Sequence, residues 1–290
     1  MNPTLIGAGA VGLWATLALL TVLAGDVPPF QLTAFCFAIG GTIGVIWTAL
    51  GRGFGAIGGL GWRVWMLGIG GLFGYHFFYF TALQNAPPAE AGLIAYLWPL
   101  LIVLFSGLLP GETLRRGHII GALVAFVGAM LILADADLSF SGEYALGYAA
   151  AILCAVLWSG YSVLSRRFGS APTQSVALFC LVTAALSTGA HLLLEETVWP
   201  SQPSGWLGLV MLGLGPVGAA FYLWDIGVKH GDIQLLGTVS YAAPLLSTLL
   251  LIATGFAPLT WTLAASAILI TGGAVIAARA GSGKFRSGAG

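Results

Sequence analysis

The residues of this chain that could do chemistry are few, and they lie in apolar surroundings. His76 sits in a stretch carrying Gly71, Gly74, Tyr75, Phe78, Tyr79 and Thr81, thirteen residues from Arg63. At helical rise that distance is roughly 20 Å. An imidazole so deep has two readings. It bonds a substrate carboxylate or senses a proton, or it is a neutral packing residue bonded to a nearby carbonyl or hydroxyl. Gly218, Tyr222, Asp225 and Lys229 follow at spacings of four, three and four, so they share one helical face. Asp225 is therefore a candidate proton-coupling carboxylate, although a plain i,i+4 pair with Lys229 at the edge of a span is the simpler account.

Backbone supplies a third kind of polar group. Gly92, Tyr96, Pro99, Leu100 and Leu101 recur as Gly237, Tyr241, Pro244, Leu245 and Leu246 at a constant offset of 145. Proline has no donor, so Pro99 and Pro244 leave the carbonyls of Ala95 and Ser240 without helical partners. In a membrane such backbone survives only where protein covers it or where it lines a wet cavity. Around it stand Tyr79, Tyr96, Trp98, Trp158, Tyr161, Ser162, Tyr222, Ser240, Tyr241 and Thr248, with Trp14 near the start.

The chemistry such a set can do is binding. Aromatic walls would hold an apolar side chain. The Ala95 and Ser240 carbonyls would accept from an ammonium group, while tyrosine hydroxyls, Ser240 and His76 would donate to a carboxylate. Core packing is the alternative for each ring. Trp62, Trp65, Trp199, Trp206 and Trp261, near the span ends, read instead as an interfacial belt.

The elements that hold these groups must be membrane helices. The chain has 290 residues, 58% hydrophobic and 7% charged, with a mean hydropathy of +0.97; a soluble domain carries about a quarter charged residues. Nothing alternates in the way of an outer-membrane barrel strand. Ten apolar runs are long enough to cross a bilayer: about 4–24, 30–50, 63–85, 88–109, 117–134, 144–165, 173–194, 205–228, 232–254 and 260–279. No basic segment precedes the first, which reads as a span and not a signal peptide. Cys36, Cys154 and Cys180 all fall in apolar runs and read as packing residues.

Composition also excludes function classes. Formal net charge is zero, which gives no electrostatic case for nucleic acid. No Gly-Lys-Ser/Thr loop is present for ATP hydrolysis. His76, His118, His191 and His230 stand far apart, without metal-ligand spacing, and no cofactor is implied. An intramembrane enzyme would need clustered catalytic groups that the chain does not offer. A passive channel is separated from a carrier by saturation and counterflow.

Charge sets the topology. Arg52, Arg63, Arg115, Arg116, Arg166, Arg167, Lys229, Arg279, Lys284 and Arg286 all fall on the side shared by both termini, and Asp26, Glu90, Asp135, Asp137, Glu143, Glu195 and Glu196 on the other. The positive-inside rule then puts both termini in the cytoplasm. The repeat extends beyond the proline motif. Leu13-Trp14 returns as Leu157-Trp158, Phe35-Cys36 as Phe179-Cys180, and Gly71 and Gly74 as Gly215 and Gly218, all at an offset of 144. Five spans per half is an odd number, so the halves must be inverted. The expected fold is an all-α integral membrane protein of ten transmembrane helices in two inverted five-helix repeats, residues 1–139 and 140–280, with a disordered tail at 281–290. Inverted repeats place a substrate site at their interface and work by alternating access. Gly117 and Gly121 form a small-residue patch on the fifth span, suited to packing inside a monomer.

The two five-helix halves, the motif ending in Pro-Leu-Leu, and Pro110-Gly111-Glu112 after the fourth span resemble EamA-type members of the drug/metabolite transporter superfamily. The resemblance covers roughly residues 5–280, and the second half departs from it with Ala257-Pro258 where Gly111-Glu112 would repeat. It implies a multi-pass exporter in the bacterial inner membrane, carrying amino acids or similar metabolites. The aromatic lining is similar to that of the family's aromatic amino acid exporters. Nucleosides, cationic compounds and sugar derivatives are the alternative substrates on the same fold.

Overall fold

The computed structural model describes residues 2–51, 53–132, 138–256 and 258–281. Among them, nine helices are long and apolar enough to cross a membrane: α1 (Pro3–Ala24), α2 (Pro29–Leu50), α3 (Trp62–Asn85), α4 (Pro88–Ser106), α6 (Gly142–Arg167), α7 (Ser175–Leu194), α8 (Pro203–His230), α9 (Ile233–Ala253) and α10 (Trp261–Gly281). A shorter apolar helix, α5 (Arg116–Leu131), fills the fifth place. The expected continuation of this span to 134 lies partly outside the described residues, as do Arg52, Asp135, Asp137, Ala257, Lys284 and Arg286. Of the expected tail only Gly281 is described, and it closes α10. The remaining bounds agree with the apolar runs to within about three residues.

Five of these helices are interrupted along their length. Helix α4 breaks at Tyr96 and Leu97, and α9 at Ser240 and Tyr241, just ahead of Pro99 and Pro244, where the missing N–H ends the ladder. Helix α1 breaks at Ala15 and Thr16, and the Thr16 hydroxyl donates to the Leu13 carbonyl at 2.7 Å. The sequence pattern did not suggest this break. Helices α3 and α8 each widen into one π turn, at Gly70–Gly74 and Gly215–Ala219. These turns fall within one residue of each other at the 144 offset of this stretch, so the repeat governs irregularity as well as span order.

Packing carries the same symmetry. The most extensive contacts pair α1 with α8, α5 with α10, α3 with α6, and α2 with α7. Each pair maps onto itself or onto another pair when the halves are exchanged, as a pseudo-two-fold axis between inverted repeats requires. Small residues permit the approach: a Cβ on Gly121 would lie 2.5 Å from the Gly273 carbonyl, and one on Gly273 would lie 2.4 Å from the Gly121 carbonyl. A Cβ on Gly117 would meet Ala280 at 2.8 Å. The glycine face of α5 is thus taken up by α10 of the same chain.

Both termini of the bundle lie on one face. The Asp232 N–H donates to Thr4 Oγ1 at 2.9 Å, and Arg115 Nη1 donates to the Ala280 carbonyl at 2.6 Å. On the opposite face, Glu195 caps the start of α2 through the N–H groups of Phe30 and Gln31, at 2.9 and 3.1 Å. Glu90, fully buried, accepts from the N–H groups of Ser139 and Phe140 at 2.7 and 3.0 Å and from the Tyr148 hydroxyl. That carboxylate ties the segment joining the two halves to α4. Cys36, Cys154 and Cys180 are free and buried.

Candidate functional site

Trp14, Trp98, Trp158 and Trp224, one from each of α1, α4, α6 and α8, form a tetrad in which all six pairs touch, with ring centroids 5.1 to 6.2 Å apart. Buried indoles need acceptors. Trp14 Nε1 donates to the Pro216 carbonyl at 3.1 Å, inside the π turn of α8, and Trp224 Nε1 donates to Ser162 Oγ at 3.0 Å. Trp14 and Trp158 are repeat mates, so the tetrad stands at the seam of the two halves. Trp224 was not visible as a candidate. Its signal was its place one residue before Asp225, on a helix already marked by the repeat.

A second layer lies on the side of the tetrad away from the termini. Tyr75, His76 and Tyr79 of α3 and Tyr96 of α4 are half-buried, although their rings point inward. Tyr75 stacks on Tyr79 at 6.0 Å and touches Trp158 at 5.5 Å. His76 meets Phe37 of α2 at 5.1 Å and Phe221 of α8 at 6.3 Å. These partly exposed rings therefore form an aromatic layer set against the tryptophans.

The histidine's chemistry follows from one bond. His76 Nδ1 lies 2.7 Å from the Leu72 carbonyl oxygen, which can only accept, so Nδ1 carries the proton. In the neutral ring Nε2 is then an acceptor. It suits an ammonium group, and the expected donation from neutral His76 to a carboxylate is corrected accordingly.

Other expected donors are already engaged. The Tyr222 hydroxyl donates to the Gly40 carbonyl at 2.9 Å and occupies a glycine notch in α2, where a Cβ on Gly44 would be 1.9 Å away. Ser240, fully buried, donates to the Leu236 carbonyl at 2.8 Å. Its own carbonyl accepts the Ala243 N–H at 3.1 Å, because the broken helix tightens into a shorter turn. The expected free carbonyl at Ser240 is therefore not free. Tyr241, also fully buried, accepts the Leu100 N–H at 3.1 Å. Pro99 is buried in the α4 core, whereas Pro244 lines a recess with Tyr96, Leu93 and Phe126.

Asp225 and Lys229 form an ion pair at 2.8 Å with side chains only 2% and 4% exposed. An edge pair would be solvated; this one is enclosed. Nearby, Arg166 bonds Glu112 at 2.7 Å and the carbonyls of Gly231 and Val228 at 2.6 and 3.1 Å, and Gln234 reaches the same carboxylate at 3.3 Å. These contacts lock α6, α8, α9 and the α4–α5 connection together on the terminal face. Sequence reading noted Glu112 only as part of a motif and placed Arg166 only by side. The site is thus closed towards the termini.

An interrupted-helix, inverted-repeat bundle with an aromatic centre at the seam of its halves is the architecture of a carrier. The EamA-like transporter family matches residues 3–134 and 145–279, and the chain belongs to that family: it is a multi-pass membrane transporter. It is 58% identical to the aromatic amino acid exporter YddG of Ancylobacter novellus, over 95% of this chain and 96% of the relative. The aromatic amino acid exporter YddG of Escherichia coli is 25% identical over 94% of this chain and 95% of its own length. The pseudopaline exporter CntI of Pseudomonas aeruginosa is 25% identical over 68% of this chain and 66% of its own. One crystal structure superposes with a TM-score of 0.90 at 58% identity, covering 95% of this chain and 96% of the other.

Proposed function

We propose that this protein exports aromatic amino acids across the bacterial inner membrane by alternating access. The aromatic cluster that joins His76, Tyr75 and Tyr79 to the tryptophan tetrad carries the reading. In it, Trp158 and Trp98 meet an aromatic side chain, His76 Nε2 accepts from the ammonium, and the Tyr79 and Tyr96 hydroxyls donate to the carboxylate. Neutral donors and area burial give modest affinity and broad selectivity, which suits export from a concentrated cytoplasm. The printed function of the 58% identical relative supports the same substrate class. A wider range of small metabolites is the second reading, favoured by the likeness to a pseudopaline exporter.

The basic face, with Arg63, Arg115, Arg116, Arg166, Arg167, Lys229 and Arg279, is taken as cytoplasmic with both termini. With that face locked by Arg166, this conformation is then the one closed to the cytoplasm. The working unit is a monomer of two halves dividing near residues 139 and 140, since the glycine face of α5 is occupied from within. Reconstitution in liposomes with labelled tryptophan, phenylalanine, tyrosine and a panel of other amino acids tests the proposal. Saturable counterflow of the aromatic three is expected. Linear, non-saturating flux, or transport that ignores the aromatic amino acids, would rule the reading out.

A further inference from the structure

A second polar recess lies between the tryptophan tetrad and the terminal face, lined by Tyr161, Ser165, Ala171, Phe179, Asp225 and Lys229 among others. Burying both ions of a pair is costly, and a well-packed apolar pair commonly serves stability as well or better. Stability alone is thus a poor reason for Asp225 and Lys229 to be here. Both contacts recorded for Asp225 fall on Oδ2, from Lys229 Nζ and from Thr173 Oγ1 at 2.7 Å. Lys229 Nζ spends its other recorded bond on the Ala171 carbonyl at 2.8 Å, and an ammonium has three donors. The Tyr161 hydroxyl is buried and makes no well-formed hydrogen bond, although Ser165 is beside it. Its ring stacks on Trp158 at 5.4 Å, so it bridges the recess and the tetrad.

Three groups therefore stand unspent around one small space: an acceptor at Asp225 Oδ1, a donor on Lys229 Nζ and a donor on Tyr161. That set matches the α-ammonium and α-carboxylate of a zwitterion. We infer that this recess is a head-group site for zwitterionic amino acids, occupied when the terminal face is open and before the substrate reaches the aromatic centre. The ammonium pairs with Asp225 and the carboxylate with Lys229 and Tyr161, while the aromatic side chain points towards Trp158. A zwitterion inserted between Asp225 and Lys229 changes no net charge, so the recess can exchange its internal pair for two substrate pairs without burying an unpaired ion. As it stands, the recess has room for about one water; release of Arg166 from Glu112 and the Gly231 carbonyl would widen it.

The inference rests on the exporter reading and deepens it. Its test compares wild type, Asp225→Asn, Lys229→Met and the charge-balanced double variant in liposomes. Labelled L-tryptophan counterflow is competed with tryptamine, which has only the ammonium, and indole-3-propionate, which has only the carboxylate. Lys229→Met is expected to shift the ratio of inhibition constants about tenfold in favour of tryptamine, and Asp225→Asn about tenfold in favour of indole-3-propionate. The double variant is expected to insert normally and show a raised KM for L-tryptophan. Single variants that shift all three ligands by one common factor, or a double variant with wild-type KM, would overturn the head-group site alone. Absence of L-tryptophan counterflow in wild type would overturn the exporter reading and this site together.

Discussion

The Tyr241 hydroxyl accepts the Leu100 N–H at 3.1 Å: the tyrosine of one copy of the proline motif caps the second half-helix of the other copy. The break at Tyr96 and Leu97 strips Leu100 of its intrahelical acceptor, and Tyr241 fills the vacancy. The repeat mate of Tyr241 is differently placed. Tyr96 is half-buried, beside Pro244. Two like segments in unlike environments are what a carrier halted in one of its access states presents.

Tyr241→Phe removes that acceptor and leaves a buried N–H unsatisfied, at a cost of about 1–3 kcal/mol. Thermal unfolding of the purified protein in detergent should show a clear fall in Tm. Tyr96→Phe, at a half-exposed ring, should shift it little. Equal shifts for the two would argue against the cap.

His76→Ala is expected to lower kcat/KM for L-tryptophan by about tenfold, the equivalent of ~1.4 kcal/mol. Indole-3-propionate, lacking the ammonium that Nε2 would accept from, should lose far less affinity. The amount of protein in the membrane should not change. Unaltered tryptophan kinetics would remove His76 from the site.

The terminal-face lock depends on Arg166. Arg166→Gln leaves the Gly231 and Val228 carbonyls without their donor and takes the cation from Glu112, an imbalance of order 1–3 kcal/mol towards an open face. With Cys36, Cys154 and Cys180 replaced by alanine, the labelling rate of Ser165→Cys by a membrane-impermeant maleimide reports the opening. Faster labelling in the Arg166→Gln background is expected; an unchanged rate would mean that packing, not this network, holds the face shut.

Gly121→Ala would place a methyl 2.5 Å from the Gly273 carbonyl, forcing α5 from α10 at about 1–3 kcal/mol. Gly12→Ala, which meets nothing within 4 Å, is the control. Tm should fall only for the first. If both are neutral, the α5–α10 contact is looser than drawn.

The membrane class, the helix order, the inverted repeat and the breaks near Pro99 and Pro244 were legible in the sequence. They rest on properties that act within one span: apolar run length, the missing proline N–H, and charge at helix ends. The aromatic candidates were legible as a group for the same reason. Which of them are spent was decided only by the tertiary structure. Tyr222 is engaged by Gly40 and Tyr241 by Leu100, partners 182 and 141 positions away. The burial of Asp225 with Lys229 and the lock between Arg166 and Glu112 likewise depend on where helices from opposite halves meet, whereas the acceptor role of His76 is set within α3 by the Leu72 carbonyl one turn back. A hydrogen-bonding group can serve the substrate only if the fold has not already satisfied it, and that assignment exists only once the halves have packed.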